Sequence, residues 1–343
     1  MFSTRNVMAS AVALALLAGC GGGSDAGPGT DNSGGSPLVP SASVTEANAP
    51  GIAGSISGEA NEALVLGADV IGHSLVELFS VSAPASAVSV APRNAGHADG
   101  SATHSPEAMV TCHDGGTQTV TIIDVNDNAA FDAGDERVVV FDACIDGSHE
   151  IDGTLEVTLV TLEGDPTVGA PYEVHATVNA KNLVVGPVVA ALSAGHGTDV
   201  GHVSDGSATL NGVVAVDIHA TATQESFELE SAPLLTIVKG DKTIRLFEVA
   251  ISSSHDETSG AKTNTFDGVI DVSGVGAVRM ETRVPFEVLS GAEHPSAGKL
   301  KLQGLESSLT ITAGTDGESV TLDVDSDNDD VIDVTVNRMW ADL

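Results

Sequence analysis

The sequence predicts a mainly all-β protein: an antiparallel meander forming a large sandwich or barrel-like sheet, with one N-terminal amphipathic helix. Three observations carry this expectation. From Met109 onward, apolar and polar residues alternate in many short runs. That two-residue period is the mark of a strand with one buried and one solvated face. Gly, Asp, Asn and Ser separate the runs at short intervals, and consecutive strands joined by short turns usually pair with each other. No helical periodicity interrupts the pattern beyond Met109.

The bulk composition bounds the function. The chain has 343 residues, 42% of them apolar, enough for one large all-β domain or two ordinary ones. Lys and Arg number 13 against 48 Asp and Glu, a net charge of −35. Nucleic-acid binding rests on cationic side chains that neutralise phosphates, so nucleic acid is excluded as a partner. The same charge argues against docking of the body on anionic lipid headgroups. Most of it reads as a solvated acidic surface, with two local clusters excepted. Aromatic residues make up only 3%, which disfavours a sugar-binding surface built on stacked rings.

Residues 1–19 read as a targeting segment and stand outside the fold. Arg5 supplies the positive start. Met8 to Ala18 is an apolar run too short to span a bilayer as a helix. It ends in Leu17-Ala18-Gly19-Cys20, which resembles a bacterial lipobox. The resemblance implies diacylation of Cys20, a mature N-terminus at that residue, and a membrane partner reached through the lipid. The residue after the cysteine is Gly21 rather than Asp. In lipoproteins of this class that implies outer-membrane sorting, on a periplasmic or surface face. An ordinary secretory signal with an incidental cysteine is the other reading.

Residues 20–52 are rich in Gly, Ser, Pro and Asn and are expected to form a disordered tether. About 30 flexible residues reach roughly 30 Å. Residues 53–106 are expected to hold a helix and a loop that pack on the body. From Glu59 to Phe79, apolar residues at Ala60, Leu64, Ala68, Ile71, Leu75 and Leu78 keep helical spacing. Ser57 is placed to cap it. Glu62, Asp69, His73 and Glu77 form the opposite face, a solvated stripe rather than a metal site. Residues 107–343 are the β-rich domain with two acidic loops.

With Cys20 assigned to the lipid, Cys112 and Cys144 remain. An even pair in an oxidising compartment reads as one disulfide. It closes a loop of roughly 33 residues, worth about 3–4 kcal/mol in the chain-entropy model. Two buried free thiols are the alternative.

Within the β domain the expected inward residues are Leu155, Val157 and Leu159; Val214, Val216 and Ile218; and the even positions from Val278 to Val288. Leu300, Leu302, Val320, Leu322 and Val324 continue the set. Ile332, Val334, Val336 and Trp340 alternate as a closing strand, with Trp340 its anchor. A weak repeat accompanies these strands. Ile151-Asp-Gly153, Leu210-Asn-Gly212 and Phe266-Asp-Gly268 each open an alternating run. A glycine inside a strand suggests a bulge that lets a long strand curve.

The first acidic loop runs from Asp124 to Asp135, with oxygen side chains at positions 1, 3, 5, 9 and 12. This spacing wraps one calcium ion, a hard cation that takes six to eight oxygens. The loop resembles those of EF-hand, dockerin and thrombospondin type 3 repeats. The resemblance implies ligands at Asp124, Asn126, Asn128, the carbonyl of Ala130, Asp132 and Asp135. Position 6 is Ala129 rather than Gly, and position 12 is Asp rather than Glu. The flanking runs are strands, so an ion site is implied and not a helical EF-hand domain. The second loop places Asp325, Asp327, Asp329 and Asp333 at positions 1, 3, 5 and 9. It resembles the same calcium loops, with Asp330 at the turn position, where Asp tolerates left-handed backbone better than Ala. Acidic turns without an ion are the plainer reading of both loops.

The remaining candidates for chemistry are weak. The closest histidine pair, His196 and His202 beside Asp199 and Asp205, sits in a glycine-rich loop and reads as solvated. No motif of a hydrolase elbow, a zinc protease or a phosphate-binding loop is present. The expected function is therefore a lipid-anchored, calcium-stabilised, non-enzymatic structural or binding protein of the cell envelope. The layout resembles that of β-rich lipoproteins of Gram-negative bacteria. A carrier of an apolar ligand in a β-enclosed cavity and a calcium-stabilised hydrolase are the alternatives.

Overall fold

The protein is described from a computed structural model that covers residues 39–56, 103–104, 108–126, 128, 131–146, 149–166, 168–187 and 207–343. Cys20, the helix expected over 59–79 with His73 and Glu77, Ala129, Ala130, and the 196–202 histidine pair lie outside these residues.

The strands begin with β1 (Thr103–His104), β2 (Ala108–Thr111), β3 (Gly115–Asp124) and β4 (Glu136–Asp146). Long strands follow: β5 (His149–Gly164), β6 (Tyr172–Pro187), β7 (Ala208–Ala220) and β8 (Gln224–Lys239). Then come β9 (Lys242–Asp256), β10 (Lys262–Val272) and β11 (Gly276–Val288). Four shorter ones close the series: β12 (Ala297–Gln303), β13 (Ser308–Ala313), β14 (Ser319–Asp325) and β15 (Val334–Met339). All belong to one 15-stranded antiparallel sheet in which β3 to β15 pair in sequence order. β1 and β2 both pair with β3. The expected meander is what forms.

One face of this sheet is apolar. Leu155, Val157 and Leu159, Val214, Val216 and Ile218, and Val320, Leu322 and Val324 are all buried. They join the main core cluster, which runs from Ala42 to Trp340. Trp340, at 2% exposed, anchors the end of the sheet as expected. Two expected inward positions are corrected. Val284 is 47% exposed because β11 slips register against β12 on both sides of it. Its neighbour Pro285 has no N–H to give the ladder. Ile332 is exposed because β15 begins only at Val334.

The glycines of the repeat do what a strand glycine suggests, and they act together with the residue before them. A side chain on Gly153 would stand 2.2 Å from the carbonyl oxygen of Asn182, and one on Gly212 2.4 Å from that of Leu234. Gly268 faces Glu248 in the same way at 2.6 Å. Each approach coincides with a register shift. The preceding Asp or Asn reaches to the strand on the other side. Asp152 Oδ1 accepts the Ala143 N–H at 2.8 Å, Asn211 Oδ1 the Asn182 N–H at 2.7 Å, and Asp267 Oδ1 the Thr282 N–H at 3.2 Å. Ala143, Asn182 and Glu248 all take positive φ. The extra residue at Asn182 changes the phase of β6. Val174, Ala176, Val178 and Ala180 point inward before it, Leu183 and Val185 after it.

The tether ends earlier than its composition suggests. Ser41 and Ala42 donate their N–H groups to Ala277 O at 2.9 and 3.1 Å, and Leu305 N–H donates to Ala42 O at 2.7 Å. A short helix, α1 (Ala49–Gly54), follows. Ala42, Val44, Ala49 and Ile52 are buried. These few apolar side chains were masked by the Gly/Ser/Pro-rich sequence around them.

Cys112 and Cys144 form the expected disulfide, with Cα atoms 5.5 Å apart. It ties the end of β2 to β4 across β3. Replacing both cysteines with serine is expected to cost about 3 kcal/mol for a 32-residue separation, with β2 amides exchanging first by hydrogen exchange. Gly212→Ala is expected to cost about 2–4 kcal/mol in urea unfolding, from left-handed strain and overlap with the Leu234 carbonyl. Asn211→Ala, which removes one hydrogen bond, costs about 1 kcal/mol.

Candidate metal centre

The two acidic loops sit at opposite ends of the sheet. The first joins β3 to β4, and the second joins β14 to β15. Strand alternation in an antiparallel meander fixes this, because the two hairpins open in opposite directions.

In the first loop, Asp124 ends β3 and is buried, and Asp135 is fully buried. Asp135 closes the loop: its Oδ1 accepts the Val125 N–H and its Oδ2 the Asp132 N–H, each at 2.9 Å. Asp132 is held by two amides. Asn126 Nδ2 donates to its Oδ1 at 2.7 Å, and Asn128 Nδ2 donates to its Oδ2. The Asn128 N–H reaches Asp124 Oδ1 at 3.3 Å and Asn126 Oδ1 at 3.1 Å. Two backbone bonds dock the loop on β5: Gly134 N–H to Leu159 O at 2.7 Å, and Leu159 N–H to Asp135 O at 3.0 Å. The structure thus brings Asp124, Asn126, Asn128, Asp132 and Asp135 into one hydrogen-bonded loop.

In the second loop the carboxylates of Asp325, Asp327 and Asp333 have oxygens within 4.8 Å of one another. Asp325 is buried at the end of β14, and its oxygens accept the N–H groups of Asp329 at 3.3 Å and Asp330 at 3.0 Å. Asp333 accepts the Ser326 N–H at 2.8 Å and the Ser326 hydroxyl. That hydroxyl, then the amide, hold the Asp333 carboxyl below its ordinary range. Asp327 accepts a backbone hydrogen bond from Asp329, which acts in the same direction but is outweighed. The charge of Asp329 first, then desolvation and the charges of Asp333 and Asp325, push its carboxyl up. Asp329 itself is outside the convergent group; its Oδ1 accepts the Val331 N–H at 2.8 Å. The chain turns through positive φ at Asn328 and Asp330, +56° and +65°, so Asp330 is the turn residue expected. Three hard oxygen donors with no histidine or cysteine among them suit calcium or magnesium rather than a softer ion.

The structure also gathers groups that sequence spacing does not. On the inner face, at the end of the sheet that carries the first loop, Tyr172 Oη donates to Glu225 Oε1 at 3.3 Å. His255 lies directly across from Glu225 and from Lys262, and its Nε2 is 3.9 Å from Glu257. Glu225 is 6% exposed. Burial, and secondarily the charge of Glu257, raise its carboxyl from 4.5 to about 7, against the lowering effect of the Tyr172 hydrogen bond. Burial and the adjacent Glu225 charge push the Tyr172 hydroxyl up, and burial lowers the Lys262 ammonium. On the outer face, Glu173 and His175 of β6 stand opposite His219 and Asp217 of β7. The only hint in the sequence was one acid and one histidine two apart on each of two strands.

No protein-family model, curated protein or solved structure matches this chain.

Glu225 makes stability depend on pH. Its folded-state value lies above its unfolded one, so its contribution is full below about 4.5 and is lost as pH rises through about 7. Glu225→Gln is expected to match the natural protein at pH 4 and to exceed it by about 3 kcal/mol at pH 8. Urea unfolding at the two pH values measures the difference; equal stabilities at pH 8 would refute the assignment.

Proposed function

We propose that this protein is a lipid-anchored, calcium-stabilised structural or binding protein of the cell envelope, without enzymatic activity. The observation that carries the calcium reading is the convergence of Asp325, Asp327 and Asp333 within 4.8 Å. Carboxylates at that distance repel one another: Asp327 is pushed up first by the charge of Asp329 and, behind it, by those of Asp333 and Asp325. A divalent cation removes that repulsion in the folded chain alone and so stabilises it. The first loop supports the same reading more weakly: Asn126 and Asn128 are hydrogen-bonded to Asp132, and the Asn128 N–H to Asp124. The anchor rests on the resemblance of Leu17 to Cys20 to a lipobox, and the outer membrane on Gly21.

The polar outer face of the sheet supports a body that stands in water at the end of a tether. Glu156, Asn179 and Lys181 form one cluster there. Charged side chains on that face are costly against lipid. The disulfide between Cys112 and Cys144 suits an oxidising compartment.

Thermal unfolding of the full chain with millimolar calcium and then with chelator tests the reading. With an affinity typical of extracellular modules, calcium is expected to add about 1–2 kcal/mol, a rise of a few degrees in Tm. Asp327→Ala is expected to remove most of the rise. No rise, or an equal one with sodium chloride, would leave both loops as acidic turns, and an equal one with magnesium would overturn the choice of calcium.

A further inference from the structure

The outer face of β6 and β7 carries an arrangement distinct from both acidic loops. Glu173 pairs with His219 and His175 with Asp217 in the sheet register. Val174 and Ile218, the residues between them, are buried. All four polar side chains therefore project from the opposite, solvated face. They stand at the corners of a small rectangle, with the two histidines on one diagonal and the two carboxylates on the other.

The histidines are oriented alike. His175 Nδ1 bonds Asp217 Oδ1, and His219 Nδ1 lies 3.6 Å from Glu173 Oε2. Each imidazole thus turns Nδ1 to a carboxylate, and the remaining nitrogen, Nε2, is the one a metal would take. A carboxylate on the far nitrogen is how proteins commonly orient and strengthen a metal-binding histidine. Diagonal neighbours on an antiparallel pair have Cβ atoms about 7–8 Å apart or somewhat less. Two imidazoles from such positions can meet at one ion with metal–nitrogen distances of about 2.0–2.1 Å. The side chains are now paired two by two rather than gathered at one point. They are 36–56% exposed, which leaves the two rings room to turn toward one ion.

We infer that this patch is a metal site for a divalent transition ion of the zinc class, held by Nε2 of His175 and His219. Asp217 and Glu173 hold the two rings, and water completes the coordination. Imidazole nitrogen selects this class over calcium, which takes oxygen. The surrounding charge favours any cation: Glu163 of β5 is opposite Glu173, and Glu228 of β8 is opposite Asp217. The site does not depend on the calcium reading, because no residue is shared with either loop.

Titration of the full chain with zinc, in millimolar calcium and 0.15 M salt, tests the assignment. One saturable zinc ion per chain is expected at micromolar free metal. His175→Ala and His219→Ala should each weaken it at least tenfold, and Asp217→Asn about tenfold through the ring it orients. Asp327→Asn should leave it unchanged. The natural protein supplies a check that needs no variant: zinc should shift the imidazole resonances of His175 and His219 ahead of those of the other histidines. Absence of saturable binding, binding that survives both histidine substitutions, or shifts at other histidines would overturn the inference.

Discussion

A sheet of this width depends on one constraint: long strands must bend together while keeping their apolar residues on one face. A seam of bulges meets it. Gly116 faces Ala143, Gly153 faces Asn182, Gly212 faces Leu234, and Gly268 faces Glu248. The seam therefore runs from β3 to β10 without a gap. Glycine is required on one strand because the carbonyl of the next comes too close for any side chain. At Gly153, Gly212 and Gly268 the Asp or Asn beside the glycine accepts a backbone N–H from the strand on the other side. β10 runs opposite to β5 and β7. Asp267 accordingly reaches forward to β11, whereas Asp152 and Asn211 reach back to β4 and β6. One local geometry serves both strand directions.

The ends of the sheet carry its strongest charge. At one end the first loop uses Asp135 to tie its own backbone, and at the other Asp325 does the same for the second. In each loop one buried carboxylate is structural, and the remaining oxygens are left around it. Asp135 and Asp325 each accept two backbone N–H groups. The exposed acids beside them are unevenly served: Asp333 accepts both donors of Ser326, while Asp327 faces the charges of its neighbours. Asp327, with three acidic neighbours, is the place where this tension is greatest. The same logic reversed operates at Glu225, where burial without enough donors favours the neutral acid.

The sequence by itself determined the class of fold. Two-residue alternation at Leu155–Leu159, Val214–Ile218 and Val320–Val324 is a direct consequence of strand geometry, so it survives any error in topology. The Asp/Asn-Gly repeat was legible because close backbone approach admits only glycine. The cysteine pair was legible by count, and the acidic loops by spacing, since a loop that encloses its own oxygens is local. Local signals were also where the reading slipped. Val284 kept its alternation but lost its face to a register slip at Pro285. The apolar residues of the 42–52 segment were too few to stand out.

Only the tertiary structure decided which distant residues meet. His175 and Asp217 are 42 residues apart and bond directly; Tyr172 and Glu225 are 53 apart and share a proton donor and acceptor. Strand register sets such pairs, and register depends on bulges and turn lengths summed along the whole meander. A one-residue change at Asn182 or Gly212 would exchange the faces of everything that follows. Residue types can therefore announce a loop that closes on itself, while a site assembled across strands is settled only when the sheet is.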